Sequence, residues 1–178
     1  MAAVYLLTIF VATDNILGMS KPIHAEIRQT RPFRSLQEQL LVNLMRTSRA
    51  VEESWLQYLK RTEGLSLSQY NILRILRGAR PEAVRITEIG ERMIYRDPDV
   101  TRLVDRLVRQ HLARRKPDPD DRRAIRVEIT SDGLTLLARL DEQVDRYTKA
   151  VMAGLTAQEL RSLDALLNDV RAGIRPFP

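Results

Sequence analysis

The 178 residues are enough for one domain with helical extensions, and 44% hydrophobic with 29% charged residues is the balance of a folded globular chain. Aromatics at 5% and only seven glycines disfavour a β-rich sandwich, whereas abundant Leu, Arg, Glu and Ala favour helix. A net charge of +6 points to an anionic partner, and the lack of cysteine excludes disulfides, thiol redox sensing and cysteine-ligated zinc.

The chain opens on an apolar run, Met1 to Ala12, with no basic segment before it and far short of the ~20 residues that span a bilayer. Met19 precedes the polar stretch Ser20-Lys21-Pro22, so residues 1–18 read either as the product of a misassigned upstream start or as an arm packing on a partner subunit. Residues 1–34 form the expected N-terminal arm. No membrane association is expected, and a cytoplasmic location is expected.

Ser35 and Glu38 have capping-box spacing ahead of Leu36, Leu40, Leu44, Val51, Trp55 and Leu59 at helical intervals, which predicts a long helix to about Arg61. Gly64 stops it. A second box, Ser66 with Gln69, starts a helix bearing Tyr70, Leu73 and Leu76 that ends near Gly78, before Pro81. Thr87 is the expected cap of a short helix carrying Ile89 and Met93. Asp97-Pro98 then supplies a cap and a first-turn proline for another. That helix presents Val100, Leu103, Val104 and Leu107 on one face and Arg102, Asp105, Arg106 and Arg109 on the other, so the pair has the layout of a helix-turn-helix.

Beyond Leu112 the period becomes two, most clearly at Ile125, Val127 and Ile129. Pro117 to Arg123 is rich in turn residues, so the flanking strands form a hairpin with a charged tip: a wing. Between Glu91 and Arg126 lie eleven Lys or Arg against seven Asp or Glu, placing +4 of the excess charge in this segment. Thr130 opens a helix through Leu134, Leu137, Leu140 and Val144 to roughly Gly154. Thr156 with Glu159 caps a last one carrying Leu160, Leu163, Leu166, Leu167 and Val170. The leucine exceeds what a small winged module needs, which predicts burial across a homodimer interface.

The fold class is therefore mainly α with a small β-hairpin wing: a winged helix-turn-helix with N- and C-terminal dimerisation helices. Its divisions are a dimerisation helix over 35–62, a winged lobe over 63–130 and C-terminal dimerisation helices over 131–178.

Ile86-Thr87-Glu88-Ile89-Gly90-Glu91-Arg92-Met93, followed by Asp97 to Leu107, resembles the multiple antibiotic resistance regulator (MarR) family. Asp121-Arg122-Arg123 through Thr130, then Gly133, resembles that family's Asp-x-Arg wing and its Thr-x-x-Gly exit into the next helix. The likeness runs roughly from Leu36 to Val170. It implies a homodimeric transcription regulator, usually a repressor, that binds a pseudo-palindromic operator in double-stranded DNA and is often adjusted by a small-molecule effector. Asp99, Thr101 and Arg102 would face base edges in the major groove, with Arg106 and Arg109 nearer phosphates. Arg102 and Arg109 also have the spacing to pair with Asp105, a reading that weighs equally with phosphate contact for Arg109. At the wing, Arg123 would enter the minor groove, with Asp121 as its partnering acid and Arg122 beside it.

His111 departs from the family, which has glycine where the recognition helix ends, and Gly90 within a helix costs about 1 kcal/mol relative to alanine unless close packing needs it. Trp55, Tyr58 and Tyr70 fit core filling better than a ligand pocket, so no residue is assigned to an effector. His24 and His111 are too few for a metal site, and Asp118, Asp120 and Asp121 lack calcium-loop spacing, so no metal or cofactor is expected. No catalytic constellation is present and an enzyme is not expected. The alternative, an interaction or membrane-associated scaffold on a winged fold without DNA, is opposed by Arg102, Arg123 and the basic face.

Overall fold

The computed structural model describes residues 21–95, 97–121 and 123–175, in a chain that divides into two compact units, 1–64 and 65–178. Residues 1–18 and Arg122, both assigned from sequence, lie outside the described residues.

In the first unit a short helix α1 (Ile23–Glu26) precedes the long α2 (Leu36–Glu63). The Ser35 hydroxyl accepts the Glu38 N–H at 3.1 Å, but the Glu38 carboxylate accepts from Arg34 N at 2.7 Å and not from Ser35. The expected capping box is thus only half formed. Gly64 ends α2 at φ 64°, the left-handed stop that glycine adopts without strain. Arg46 reaches back to Glu26 at 2.7 Å, joining α2 to α1. Leu36, Leu40, Leu41, Leu44 and Met45 are exposed along α2, an apolar surface that this unit does not cover.

The second unit begins with α3 (Leu67–Gly78), whose Ser66–Gln69 capping box is complete. There follow β1 (Val84–Arg85), α4 (Ile86–Arg92), α5 (Val100–Arg109), β2 (Ala113–Pro117), β3 (Ile125–Ile129), α6 (Ser131–Val151) and α7 (Ala157–Gly173). The strands form an antiparallel sheet in the order β1-β3-β2. Ile72, Leu73 and Leu76 of α3 are buried together with Val84, Ile89, Val104, Leu107, Val127, Leu137 and Leu140. Each such side chain contributes roughly 1.5 to 3 kcal/mol through its removal from water.

Two helix starts differ from expectation. Thr87 does not cap α4, because Val84 and Arg85 are drawn into the sheet opposite Val127 and Arg126; the backbone stays extended to Arg85 and turns helical directly after it. Asp97-Pro98 does not open α5 either. The Asp97 carboxylate accepts the Asp99 N–H at 2.9 Å in a preceding turn, and Asp99 is the cap, its Oδ1 accepting from Arg102 N at 3.1 Å. By contrast Thr130 and the Thr156–Glu159 box cap α6 and α7 as the sequence requires.

Side-chain bonds tie the two short helices to α3, and α3 in turn to α6. Asn71 of α3 accepts the Ile94 N–H at 2.8 Å, holding the chain between α4 and α5. Gln69 donates to Gln110 at the end of α5, and Arg77 forms a two-pronged pair with Asp141 of α6 at 2.7 and 3.0 Å.

Candidate nucleic-acid interface

The amphipathic pattern of α5 buries Leu103, Val104 and Leu107 and leaves Thr101, Arg102, Arg106 and Arg109 exposed. Asp99 stands at its start with one oxygen committed to the cap, and Arg102 reaches its other oxygen only at 4.0 Å. Asp105 pairs with neither Arg102 nor Arg109. It is taken by Arg115 of β2 at 2.6 Å, a bond that ties the wing to α5. Among the described residues, the guanidinium groups of Arg106 and Arg109 have no acidic partner.

The end of α5 is set by three neighbouring devices. His111 adopts φ 59°, the left-handed conformation for which glycine is suited. The Thr130 hydroxyl donates to the His111 carbonyl at 2.7 Å while accepting the Gly133 N–H at 3.1 Å, and Thr130 N donates to the Leu112 carbonyl at 3.2 Å. A Cβ on Gly133 would stand 2.3 Å from that same carbonyl oxygen, so glycine is required there by close approach. Gly90 has no such reason: a Cβ there would meet Val100 Cγ2 at an ordinary 3.5 Å.

In the wing β2 faces β3 from Ala113↔Ile129 to Pro117↔Ile125. Glu128 receives Lys116 at 2.6 Å as well as Arg114, and these cations hold its carboxyl below the usual range, Lys116 foremost. At the tip Asp121 does not engage the Arg123 guanidinium. Its carboxylate accepts the Arg123 backbone N–H at 2.9 Å and its carbonyl accepts Ala124 N at 2.9 Å, because the tight turn brings these backbone groups within reach first. The Arg123 side chain is exposed and without an acidic partner among the described residues.

The acid that does gather arginines is Asp118, buried at the base of the tip. Its Oδ2 accepts from Arg85 Nε at 2.5 Å and from Arg126 Nε at 2.9 Å, and Arg126 Nη2 extends to Asp120 at 3.3 Å. The hydrogen bonds from Arg85 and then Arg126 hold its carboxyl far below the ordinary range. Local spacing gave no sign of this cluster, since Arg85 is 33 residues away in sequence.

Tyr70 is a core residue, with the Arg74 guanidinium 5.9 Å from its ring centre and burial raising its phenol. Trp55 and Tyr58 stack with centroids 5.2 Å apart in the other unit. Among the described residues, no helix is long and apolar enough to cross a membrane.

Comparison with known proteins supports the fold. The profile of the MarR family matches residues 63–124, from the end of α2 into the wing tip. The chain is similar to the crystal structure of a MarR transcription factor from Planctomyces limnophilus, with 36% identity over 77% of this chain and 98% of that one and a TM-score of 0.57. It is 26% identical to the HTH-type transcriptional regulator PapX of Escherichia coli, across 76% of this chain and 80% of PapX. A MarR family regulator from Streptomyces coelicolor, Sco3205, solved in complex with DNA, shares the fold at a TM-score of 0.71 and 24% identity, covering 81% of this chain and 95% of that one.

Proposed function

The chain belongs to the MarR family of winged helix-turn-helix transcription regulators, and we propose that it binds a pseudo-palindromic operator in double-stranded DNA as a homodimer. The observation that carries this reading is the cationic surface formed by Arg102, Arg106 and Arg109 along α5 and Arg123 at the wing tip. All four side chains are exposed, and Arg106, Arg109 and Arg123 are unpaired among the described residues. A helix with this exposed face fits the major groove, and an arginine on a projecting turn fits the narrow, electronegative minor groove. Thr101 and Arg102 face base edges in this reading. Asp99 acts by fixing the first turn of α5, Arg106 and Arg109 lie toward phosphates, and Asp121 shapes the turn that presents Arg123.

The dimer rests on apolar surface left exposed by each unit: Leu36, Leu40, Leu41, Leu44 and Met45 on α2, and Leu163, Leu166 and Val170 on α7. The proposed divisions follow, with 35–62 and 131–178 serving dimerisation and 63–130 the DNA. Repression, adjusted by a small-molecule effector, is the regulatory behaviour this reading assigns by family resemblance.

Selection of bound fragments from random duplex DNA tests the proposal. It should enrich an inverted repeat whose half-sites lie about one helical turn apart, with affinity falling steeply as salt rises. Failure to enrich any sequence, or salt-independent binding, would refute it.

A further inference from the structure

We propose that Asp118 is a positioning residue for DNA binding: it holds two facing arginines at the base of the wing and thereby aims the tip that carries Arg123. This role rests on the DNA-binding reading above. It begins from the sheet register, which sets Arg85 of β1 directly opposite Arg126 of β3. Like charges directly opposite one another destabilise a strand pair. The Asp118 carboxylate resolves the conflict by accepting from both, at 2.5 and 2.9 Å, while its own side chain is fully buried.

The same residue organises the tip. Its Oδ1 accepts the Asp120 N–H at 2.9 Å, and its own N–H donates to the Ala124 carbonyl at 3.2 Å, closing the segment between β2 and β3 at its base. Arg123 lies inside that closed segment, one residue before Ala124. Arg85 also stands at the start of α4, so one carboxylate joins the wing tip, the central strand and the entrance to the helix-turn-helix. Without the negative charge, Arg85 and Arg126 face each other uncompensated and the tip loses its anchor, although neither event removes a group from the DNA-facing surface.

Asp118→Asn is the informative variant, because the amide still accepts from Asp120 N but no longer neutralises the arginines. In the free protein, hydrogen exchange at the Asp120 and Ala124 amides should accelerate by about tenfold or more, with α5 amides unchanged. On a duplex enriched from a random library by the wild-type protein, Asp118→Asn should bind about tenfold more weakly, the scale of one forfeited groove contact. In an Arg123→Ala background the same change should cost less than about twofold, since the group being aimed is already gone. An equal loss in both backgrounds would overturn the positioning role and leave Asp118 as a general structural residue. Arg126→Lys keeps the charge but not the fork that spans Asp118 and Asp120; it is expected to behave alike, and it judges the proposal even if Asp118→Asn does not fold. A wild-type protein that enriches no duplex sinks the DNA reading and this role with it, whereas unchanged exchange at the wing sinks the role alone.

Discussion

Gly133 and Gly90 should respond to the same substitution with opposite sign. Both are helical glycines, so replacement by alanine brings each up to about 1 kcal/mol of helix propensity, less in the first turn where Gly133 lies. At Gly133 the new Cβ would sit 2.3 Å from the Leu112 carbonyl oxygen and 2.7 Å from Ile129 Cγ1. Restoring ordinary separation requires a displacement of about 1 Å in packed backbone. Overpacking of this kind costs about 1 to 3 kcal/mol, and moving Leu112 also weakens the bond its carbonyl accepts from Thr130, worth about 1 kcal/mol. The net expectation for Gly133→Ala is a loss of about 1 to 3 kcal/mol, a fall in Tm of about 2 to 12 °C for a chain of this length. Gly90→Ala meets only Val100 Cγ2 at 3.5 Å, so it should gain about 0.5 to 1 kcal/mol and raise Tm by about 1 to 4 °C. Thermal unfolding followed by far-ultraviolet circular dichroism measures both. If Gly133→Ala melts at or above wild type, the end of α5 is not packed against α6 as described and the reasoning fails.

His111→Gly should stabilise the protein by roughly 0.5 to 1 kcal/mol in the same assay, since relief of a left-handed histidine exceeds the entropy that glycine adds to the unfolded chain. Arg123→Ala should weaken operator binding by about 1 to 3 kcal/mol and, by removing one cation per protomer, flatten the salt slope of a dimer by up to about two. Arg102→Ala should instead relax preference at particular base pairs, so binding to base-substituted operators separates the two; an Arg123→Ala protein that binds like wild type at every salt concentration would return the wing to a solvated hairpin. Deleting residues from Thr156 onward should yield a monomer at micromolar concentration by sedimentation, and a deletion that leaves the association state unchanged would remove α7 from the interface. Because folding depresses the Asp118 carboxyl, its contribution is complete above the ordinary carboxylate range and disappears only as pH falls through the depressed value. Exchange protection at the wing, corrected for intrinsic rates, should therefore be constant from neutral pH down to the upper edge of that range, and a loss of protection beginning near neutrality would contradict the ion cluster.

What could be read from the sequence is what is decided within a few residues. Ser66 with Gln69, Thr156 with Glu159, and Thr130 ahead of Gly133 cap their helices because donor and acceptor are three positions apart in the chain. The alternation of Val127 and Ile129 with Arg126 and Glu128 likewise marks β3 from within itself. β1 has no such signature. Two residues make it a strand only because β3 lies beside them, and that pairing in turn displaced the start of α4 from the cap expected at Thr87. The arginines of the interface show the same limit in charge. Asp105 has the spacing to pair with Arg102 or Arg109 on its own helix, and only the approach of β2 gives it to Arg115. Arg85 and Arg126 are claimed by Asp118, and Arg114 by Glu128, each across strands or loops. The fold thus sorts chemically identical side chains into those that hold the wing and those, at Arg106, Arg109 and Arg123, whose charge is left for a partner. A mutation in the first group should act through wing order and so depend on Arg123, whereas one in the second should act on binding alone.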